Sequence, residues 1–433
     1  MEDDGSLLSD PSSTGPNTQA HTAKGPYILT PPPIHAKDPE EPPPESILLD
    51  PFGYLSDRTN ATTADGRRSR RSGKRSILVT FWAAAPPRVS CFTVHCPGLD
   101  PSAFGDIPKV ICAEDDLVLL RAGGTENKPP PPSLKRVRTP PDFMFFDTEV
   151  TMLRCRGQDA FFLAVLRRAF IDWKYADKQF DLHLYNSKTG SWSTKLTRVD
   201  SPPDFNYFSL NKVISIGGEL GSVGWVDLSR GILICDLLLD NHSLRYIPLP
   251  SPLGRKPLKG NPMYFRNIIV LQGYIKFFEL DKHSRRCSDA ECTGMVSVGW
   301  VAQTKEMKSS NIGSGNSNWE EDSTIKFYEV PVDSPAYARM LPDLEQGRDT
   351  KLTLKRIQAG YPALSLHDGD VVYIMHIPDH HEKKASVIAV DMRNKTIKGV
   401  ADFGSGRPIG YDFTYLQSGI SKHLGSWSTS RQF

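Results

Sequence analysis

Wherever this chain turns apolar, it does so for about the length of one strand before Gly, Asn, Asp or Pro interrupts it. Residues 77–82, 90–95, 117–121 and 180–185 are such runs, rich in β-branched and aromatic side chains. That composition between turn clusters is the signature of β-hairpins. Residues 160–170 carry Ala, Leu and Arg that would also suit a helix. Their neighbours are strands, so strand is the reading preferred there. The 35 prolines among 433 residues, about 8% against a usual ~5%, further disfavour a helical protein.

Strand–turn–strand units recur. Residues 180–185 lead through Asn186-Ser187-Lys188-Thr189-Gly190 into residues 191–194. Residues 232–238 lead through Asp240-Asn241-His242-Ser243 into residues 244–247, and residues 387–391 lead through Arg393-Asn394-Lys395 into residues 396–403. Residues 274–280 and 324–330 read as further strands. The first two units lie about 50 residues apart, comparable with a kelch blade. The expectation is an all-β, propeller-like repeat domain of five to seven blades, with two stacked β-sandwiches as the alternative. Residues 123–141 and 306–322, polar or proline-rich, read as exposed loops.

The expected organisation has three parts. Residues 1–46 form a disordered Pro-rich tail, because two Pro-Pro-Pro runs and few large apolar side chains leave too little surface to bury. Residues 47–425 form the β domain, and residues 426–433 a flexible C-terminal tail. The opening Met-Glu-Asp-Asp has no apolar stretch behind it, which argues against a secretory signal. No apolar run approaches the ~18 residues of a transmembrane helix. Seven scattered cysteines fit buried reduced thiols rather than a disulfide framework. A cytoplasmic or nuclear location follows as the expectation.

Two segments are distinctive. One is Pro86-Pro87-Arg88-Val89-Ser90-Cys91-Phe92-Thr93-Val94-His95-Cys96-Pro97-Gly98. The other runs from Gly224-Trp225-Val226-Asp227-Leu228 through Ile234-Cys235-Asp236 to Leu244-Arg245-Tyr246-Ile247-Pro248-Leu249-Pro250. With Ile47-Leu48-Leu49-Asp50, the turn over residues 185–193 and Leu366-His367-Asp368-Gly369-Asp370, they resemble the plant domain of unknown function family 1618, abundant in grasses. The resemblance spans about residues 47–425. Ser229 stands where that family usually has a large residue. The resemblance implies a plant source and a propeller-like β architecture, and it brings no activity, substrate or site residue. The strand–turn–Trp units also look like the domains found behind F-box motifs, but the N-terminal region lacks the F-box helical pattern.

The chemistry-bearing residues point away from an enzyme. Arg67, Arg68, Arg70, Arg71, Lys74 and Arg75 form a basic run spaced by Gly and Ser, a candidate for nuclear import. A net charge of +2 lacks the field that nucleic-acid binding needs, so no nucleic-acid partner is expected. Lys135-Arg136-Val137-Arg138 is a weaker import candidate. His376, His380 and His381 with Asp379 and Glu382 have metal-ligand chemistry, but Pro378 breaks the helix their spacing would need, so an exposed turn is expected. Cys287 and Cys292 lack a second ligand pair for zinc. Asp227, Asp236 and Asp240 could serve acid–base hydrolysis. Turn capping, or pairing with Arg230 and Arg245, is the reading preferred. No Walker loop, nucleophile elbow or dinucleotide fingerprint occurs, and Gly404-Ser405-Gly406-Arg407-Pro408 lacks the helix that cradles phosphate. Trp192, Trp225 and Tyr246 read as packing anchors.

The expectation is therefore a non-enzymatic protein-interaction scaffold. It has no catalytic, cofactor-binding or metal-ligating residues, no cofactor and no membrane partner, and its protein partner is unidentified. The alternative is a hydrolase or carbohydrate-binding module with a carboxylate-lined central channel.

Overall fold

The computed structural model describes residues 43–67, 76–100, 104, 107–121, 137, 145–155, 157, 159–169, 179–200, 208–254, 260–286, 295–312, 318–341, 344, 352–378, 385–403 and 414–424. The first sheet takes β1 (Ile47–Leu49), β2 (Tyr54–Leu55), β3 (Ala64–Arg67), β4 (Ser76–Trp82) and β5 (Val89–His95). A hairpin follows, β6 (Lys109–Glu114) and β7 (Leu117–Arg121). Next come two antiparallel four-stranded meanders. The first holds β8 (Val150–Cys155), β9 (Ala160–Arg168), β10 (Gln179–Asn186) and β11 (Ser191–Asp200). The second holds β12 (Lys212–Gly217), β13 (Ser222–Asp227), β14 (Gly231–Asp236) and β15 (Leu244–Pro248). A short parallel pairing of β11 with β15, Val199 beside Leu244, joins these two into one sheet.

Two more meanders complete the repeat. One contains β16 (Arg266–Leu271), β17 (Tyr274–Arg286), β18 (Met295–Lys308) and β19 (Glu320–Lys326). The other contains β20 (Ala359–Leu364), β21 (Val371–His376), β22 (Ala385–Asp391) and β23 (Thr396–Phe403). The last strand, β24 (Leu416–Ser418), returns to pair antiparallel with β1, while β1 pairs parallel with β5 on its other edge. The chain is all-β, with only short helical turns among the described residues.

Successive sheets bury their faces against each other. Ile47, Leu49, Phe92 and Val94 of the first sheet pack with Val110 of the β6–β7 hairpin. Cys112 and Leu119 of that hairpin lie against Met152, Leu163 and Tyr185. Leu166 and Leu182 then meet Trp225, Leu233 and Cys235. On the opposite face of β13 and β14, Val226, Ile232 and Ile234 meet Ile268, Ile275 and Phe277. Phe278, Leu280 and Trp300 meet Val372, Ile374, Ile388 and Val390. Finally Met375, Val387 and Phe403 meet Leu48 and Tyr415, and the sequence of layers has returned to the first sheet.

A strand covered on both faces needs apolar side chains at every position, not at alternate ones. Gly231–Asp236, Val371–His376 and Ala385–Asp391 are buried throughout for that reason. Ala160–Arg168 is a strand as expected, with its Ala and Leu side chains on two buried faces. Gly231 opens β14 directly after the β13–β14 turn. A Cβ there would come within 2.3 Å of Tyr246 Cε2 and 2.5 Å of the Ile247 carbonyl oxygen, so the close approach of β15 requires glycine.

The structure corrects two loop boundaries. The two ends of residues 306–322 are strand rather than exposed loop, since Glu306 pairs with Glu320 and Met307 is buried in the layer containing Phe277. Residues 327–329 form a 3-10 turn instead of continuing the strand expected over 324–330, and Phe327 is buried there. The expected loop over residues 123–141, apart from residue 137, lies outside the described residues, as do residues 1–42 of the expected N-terminal tail and all of the expected C-terminal tail.

Trp225 is fully buried and its indole N–H donates to the Glu149 carbonyl at 2.9 Å, tying β13 to the start of β8 in the neighbouring meander. Trp225→Ala is expected to cost about 3–5 kcal/mol, read as the shift in a urea unfolding curve. A second expectation concerns the N-terminus. Ile47, Leu48 and Leu49 are each at most 1% exposed, and their burial stabilises by about 1.5–3 kcal/mol per side chain. Deleting residues 1–46 should leave the thermal midpoint unchanged, whereas deleting residues 1–50 should abolish cooperative melting.

Candidate functional site

The first strands of successive sheets lie side by side. β6 lies beside β8, β8 beside β12, β12 beside β16 and β16 beside β20, and β24 lies beside β6. Between β20 and β24 the contact is made by side chains. Gln417 Nε2 donates to the Leu364 carbonyl at 2.7 Å and the Tyr415 hydroxyl donates to the Tyr361 carbonyl at 2.7 Å.

Polar side chains gather where these strands face one another. Lys212 Nζ donates to Asn267 Oδ1 at 2.8 Å and to Gln417 Oε1 at 3.1 Å, so one amine links β12, β16 and β24. Burial with no compensating charge pushes this amine down to about 7. Ser215, also on β12, donates to Glu114 Oε1 at 3.1 Å, and burial holds the Glu114 carboxyl above the usual range despite that bond. The lysine therefore sits among amides, while Ser215, on the opposite face of β12 by strand alternation, holds a single carboxyl. Nothing in the sequence marked Lys212, Asn267 or Gln417. Each is an isolated polar residue near a strand start, and their meeting depends on ring order.

The acids that the sequence singled out have structural partners. Asp227 accepts from the Ser229 and Ser209 backbone N–H groups and from Arg230, which closes the β13–β14 turn. Asp236 accepts two bonds from Arg245, at 2.8 and 3.0 Å, and one from the Ser222 hydroxyl at 2.5 Å. Asp240 lies in the exposed turn that follows, away from both pairs, where its carbonyl accepts from Lys195. The three carboxyls therefore do not converge. His376 is a buried strand residue whose Nδ1 accepts from the Gln358 N–H at 3.1 Å, not a residue of an exposed turn. Asp379, His380, His381, Glu382, Cys287, Cys292 and Lys135, Arg136 and Arg138 lie outside the described residues, and so do Arg68, Arg70, Arg71, Lys74 and Arg75 of the basic run. Arg67 ends β3. Among the described residues no three His, Cys, Asp or Glu side chains gather as metal ligands. No helix among them is long and apolar enough to cross a membrane. The described cysteines are free, and burial pushes the Cys91, Cys112 and Cys235 thiols up to about 12. Trp192 stacks beside Tyr185, and Tyr246 packs edge-on to Phe208, as packing anchors do.

One turn surface differs from the rest. The β12–β13 turn and the β14–β15 turn are bonded side by side, with Leu238 N–H donating to the Leu220 carbonyl at 3.1 Å. Leu220, Leu238 and Leu239 are all exposed there, beside exposed Glu219 and Asp240. Elsewhere Lys276, buried in β17, bridges Glu306 of β18 and Asp322 of β19. The two adjacent turns therefore present apolar side chains beside acidic ones.

The family described as a protein of unknown function, DUF1618, matches residues 225–373, from Trp225 in β13 to Tyr373 in β21. No curated protein matches this chain. Among solved structures, the crystal structure of a member of the DUF4221 family from Bacteroides vulgatus shares 8% identity over 59% of this chain and 82% of that chain, with a TM-score of 0.21.

The Asp236–Arg245 pair yields a pH test. Burial raises the Asp236 carboxyl, but the bonds from Arg245 and Ser222 outweigh it and leave the group below the usual aspartate range. A depressed folded value contributes stability above the unfolded value, near 3.9, and loses it as pH falls through the folded value. Asp236→Asn should therefore cost about 1–2 kcal/mol at pH 7, a figure kept low because Arg245 is 35% exposed. The gap between variant and parent should narrow as pH falls below the unfolded value, as read from urea unfolding at a series of pH values.

Proposed function

We propose that this protein is a non-enzymatic interaction scaffold, a six-bladed propeller whose turns hold a partner protein. The cycle of six apolar layers, each between neighbouring sheets, supports the propeller reading. The observation that carries the function is the exposed leucine group Leu220, Leu238 and Leu239 on two adjacent turns. Isolated surface leucines are ordinary, but contiguous ones rimmed by polar residues mark interaction surfaces. Glu219 and Asp240 beside them favour a partner segment that presents an apolar side chain flanked by Lys or Arg.

The alternative, a hydrolase or carbohydrate-binding module, calls for convergent carboxyls with raised values in one cleft. Among the described residues Glu114 and Glu149 are the carboxyls held high, and they have different partners. Glu114 bonds Ser215, whereas Glu149 accepts from the Phe146 N–H and faces Arg167. On the scaffold reading the protein works in the cytoplasm or nucleus. The run Arg67, Arg68, Arg70, Arg71, Lys74 and Arg75 is then the segment that an import receptor would grip.

Leu220→Ser, Leu238→Ser and Leu239→Ser combined should leave the urea unfolding midpoint almost unmoved, because the three sites are exposed. Proximity labelling with the parent should return a discrete partner set that this variant loses. An identical set from both proteins would remove the leucine surface from the proposal.

A further inference from the structure

The leucine turns stand at the end of the sheets where the N-terminal segment joins them. The β16–β17 turn lies beside the β20–β21 turn, where Lys276 Nζ donates to the Gly369 carbonyl at 3.3 Å. β12 lies beside β16 and starts where β16 starts, since Lys212 at the head of β12 bonds Asn267. The β12–β13 turn, which carries Leu220, is therefore at that same end, with Leu238 and Leu239 bonded beside it. The chain enters there too. Glu45, two residues before β1, meets His367 Nδ1 of the β20–β21 turn at 2.5 Å. Packed sheets lie about 10 Å apart, so two sheets separate this entry from the leucines by roughly 20 Å. The stretch from Leu29 to Glu45 can span about 50 Å.

The N-terminal segment offers two apolar blocks of opposite surroundings. Leu7 and Leu8 stand among Glu2, Asp3, Asp4 and Asp10, which Glu219 and Asp240 beside the leucine turns would repel. Tyr27, Ile28 and Leu29 stand between Lys24 and Lys37, and residues 11–37 contain no acid. Among the described residues the Glu219 and Asp240 carboxylates have no ion-pair partner, because the neighbouring Lys195 is taken up by the Asp240 carbonyl and His242. The second block therefore matches the turn surface in both apolar character and charge.

We propose that residues 24–37 dock on the leucine turns of their own chain and compete there with the partner protein. Tyr27, Ile28 and Leu29 cover Leu220, Leu238 and Leu239, and Lys24 and Lys37 lie toward Glu219 and Asp240. The inference rests on the scaffold reading, in which those turns are a docking surface. Tethering holds the contact rather than high affinity. A short linker gives a millimolar effective concentration, so a weak site fills, and removing the segment hardly moves the thermal midpoint. A partner must displace the segment, which sets a threshold of affinity for entry to the surface.

The test treats the full chain with a carbodiimide, which joins a lysine amine to a carboxylate where the two touch, and maps the peptides. Lys24 or Lys37 should be joined to Glu219 or Asp240. In a mixture of isotope-labelled and unlabelled copies the link should fall within one chain. Tyr27→Ser, Ile28→Ser and Leu29→Ser combined keep every charge, and they should lower its yield about tenfold. The same variant should widen the partner set returned by proximity labelling, because the competitor is gone. The inference fails if the native chain forms no such link, if the links run only between copies, or if the triple variant links as well as the parent. Each of these results leaves the scaffold reading standing. That reading fails instead if the links form as expected while the partner set is the same with and without the three leucines.

Discussion

Three residues at one end of the chain and three at the other hold the molecule in a cycle. β24 has no partner in its own stretch of sequence. It exists as a strand because Ile47, Leu48 and Leu49 offer an edge, and these in turn are anchored parallel to β5. Without that pairing the layer containing Met375, Phe403 and Tyr415 would lose Leu48, and the layer containing Phe92 and Val110 would lose Ile47 and Leu49. Each sheet has two apolar faces, so none can stand alone, and opening the cycle at one place exposes two faces at once. A backbone ladder joining the two termini therefore secures many side-chain contacts that are local to other sheets.

Within that cycle the buried charges do architectural work. Arg266, 1% exposed, donates to Glu279 at 2.9 Å and to the Leu228 carbonyl at 2.8 Å, so an ion pair inside one sheet also grips a turn of the preceding sheet. Glu279 completes its bonding by accepting from the Leu253 N–H. A buried pair of this kind adds little net stability, because both charges were desolvated to make it. Its directional bonds fix how the neighbouring sheets sit. The Asp227, Asp236 and Asp391 carboxylates hold turns and hairpins in the same way, so Asp227 and Asp236 spend their oxygens on neighbouring N–H groups and arginines.

The β character of the chain was legible because strand-sized runs such as Ile232-Leu233-Ile234-Cys235 carry it locally. The pairing of Asp236 with Arg245 was legible too, since nine residues of hairpin bring them together. Boundaries failed where tertiary contacts overrode composition. Polar residues 305–306 and 320–326 continue a ladder because Met307 and Ile325 anchor it from beneath. The need for glycine at position 231 was not legible, since a sequence cannot announce that a tyrosine ring will lie against it. The Lys212 cluster was invisible for a related reason. Lys212 and Gln417 are 205 residues apart, and no periodicity in the sequence relates them.

The late arrival of β24 has a consequence for synthesis. A ribosome adds about 5–20 residues per second, so about twenty seconds to more than a minute separates the emergence of Ile47 from that of Ser418. Throughout that interval the outer edge of β1 has no strand beside it, and an unpaired apolar edge invites pairing with another nascent chain. In a cell this protein is therefore most exposed to misassembly on the polysome, where identical chains lie close together at the same stage of growth.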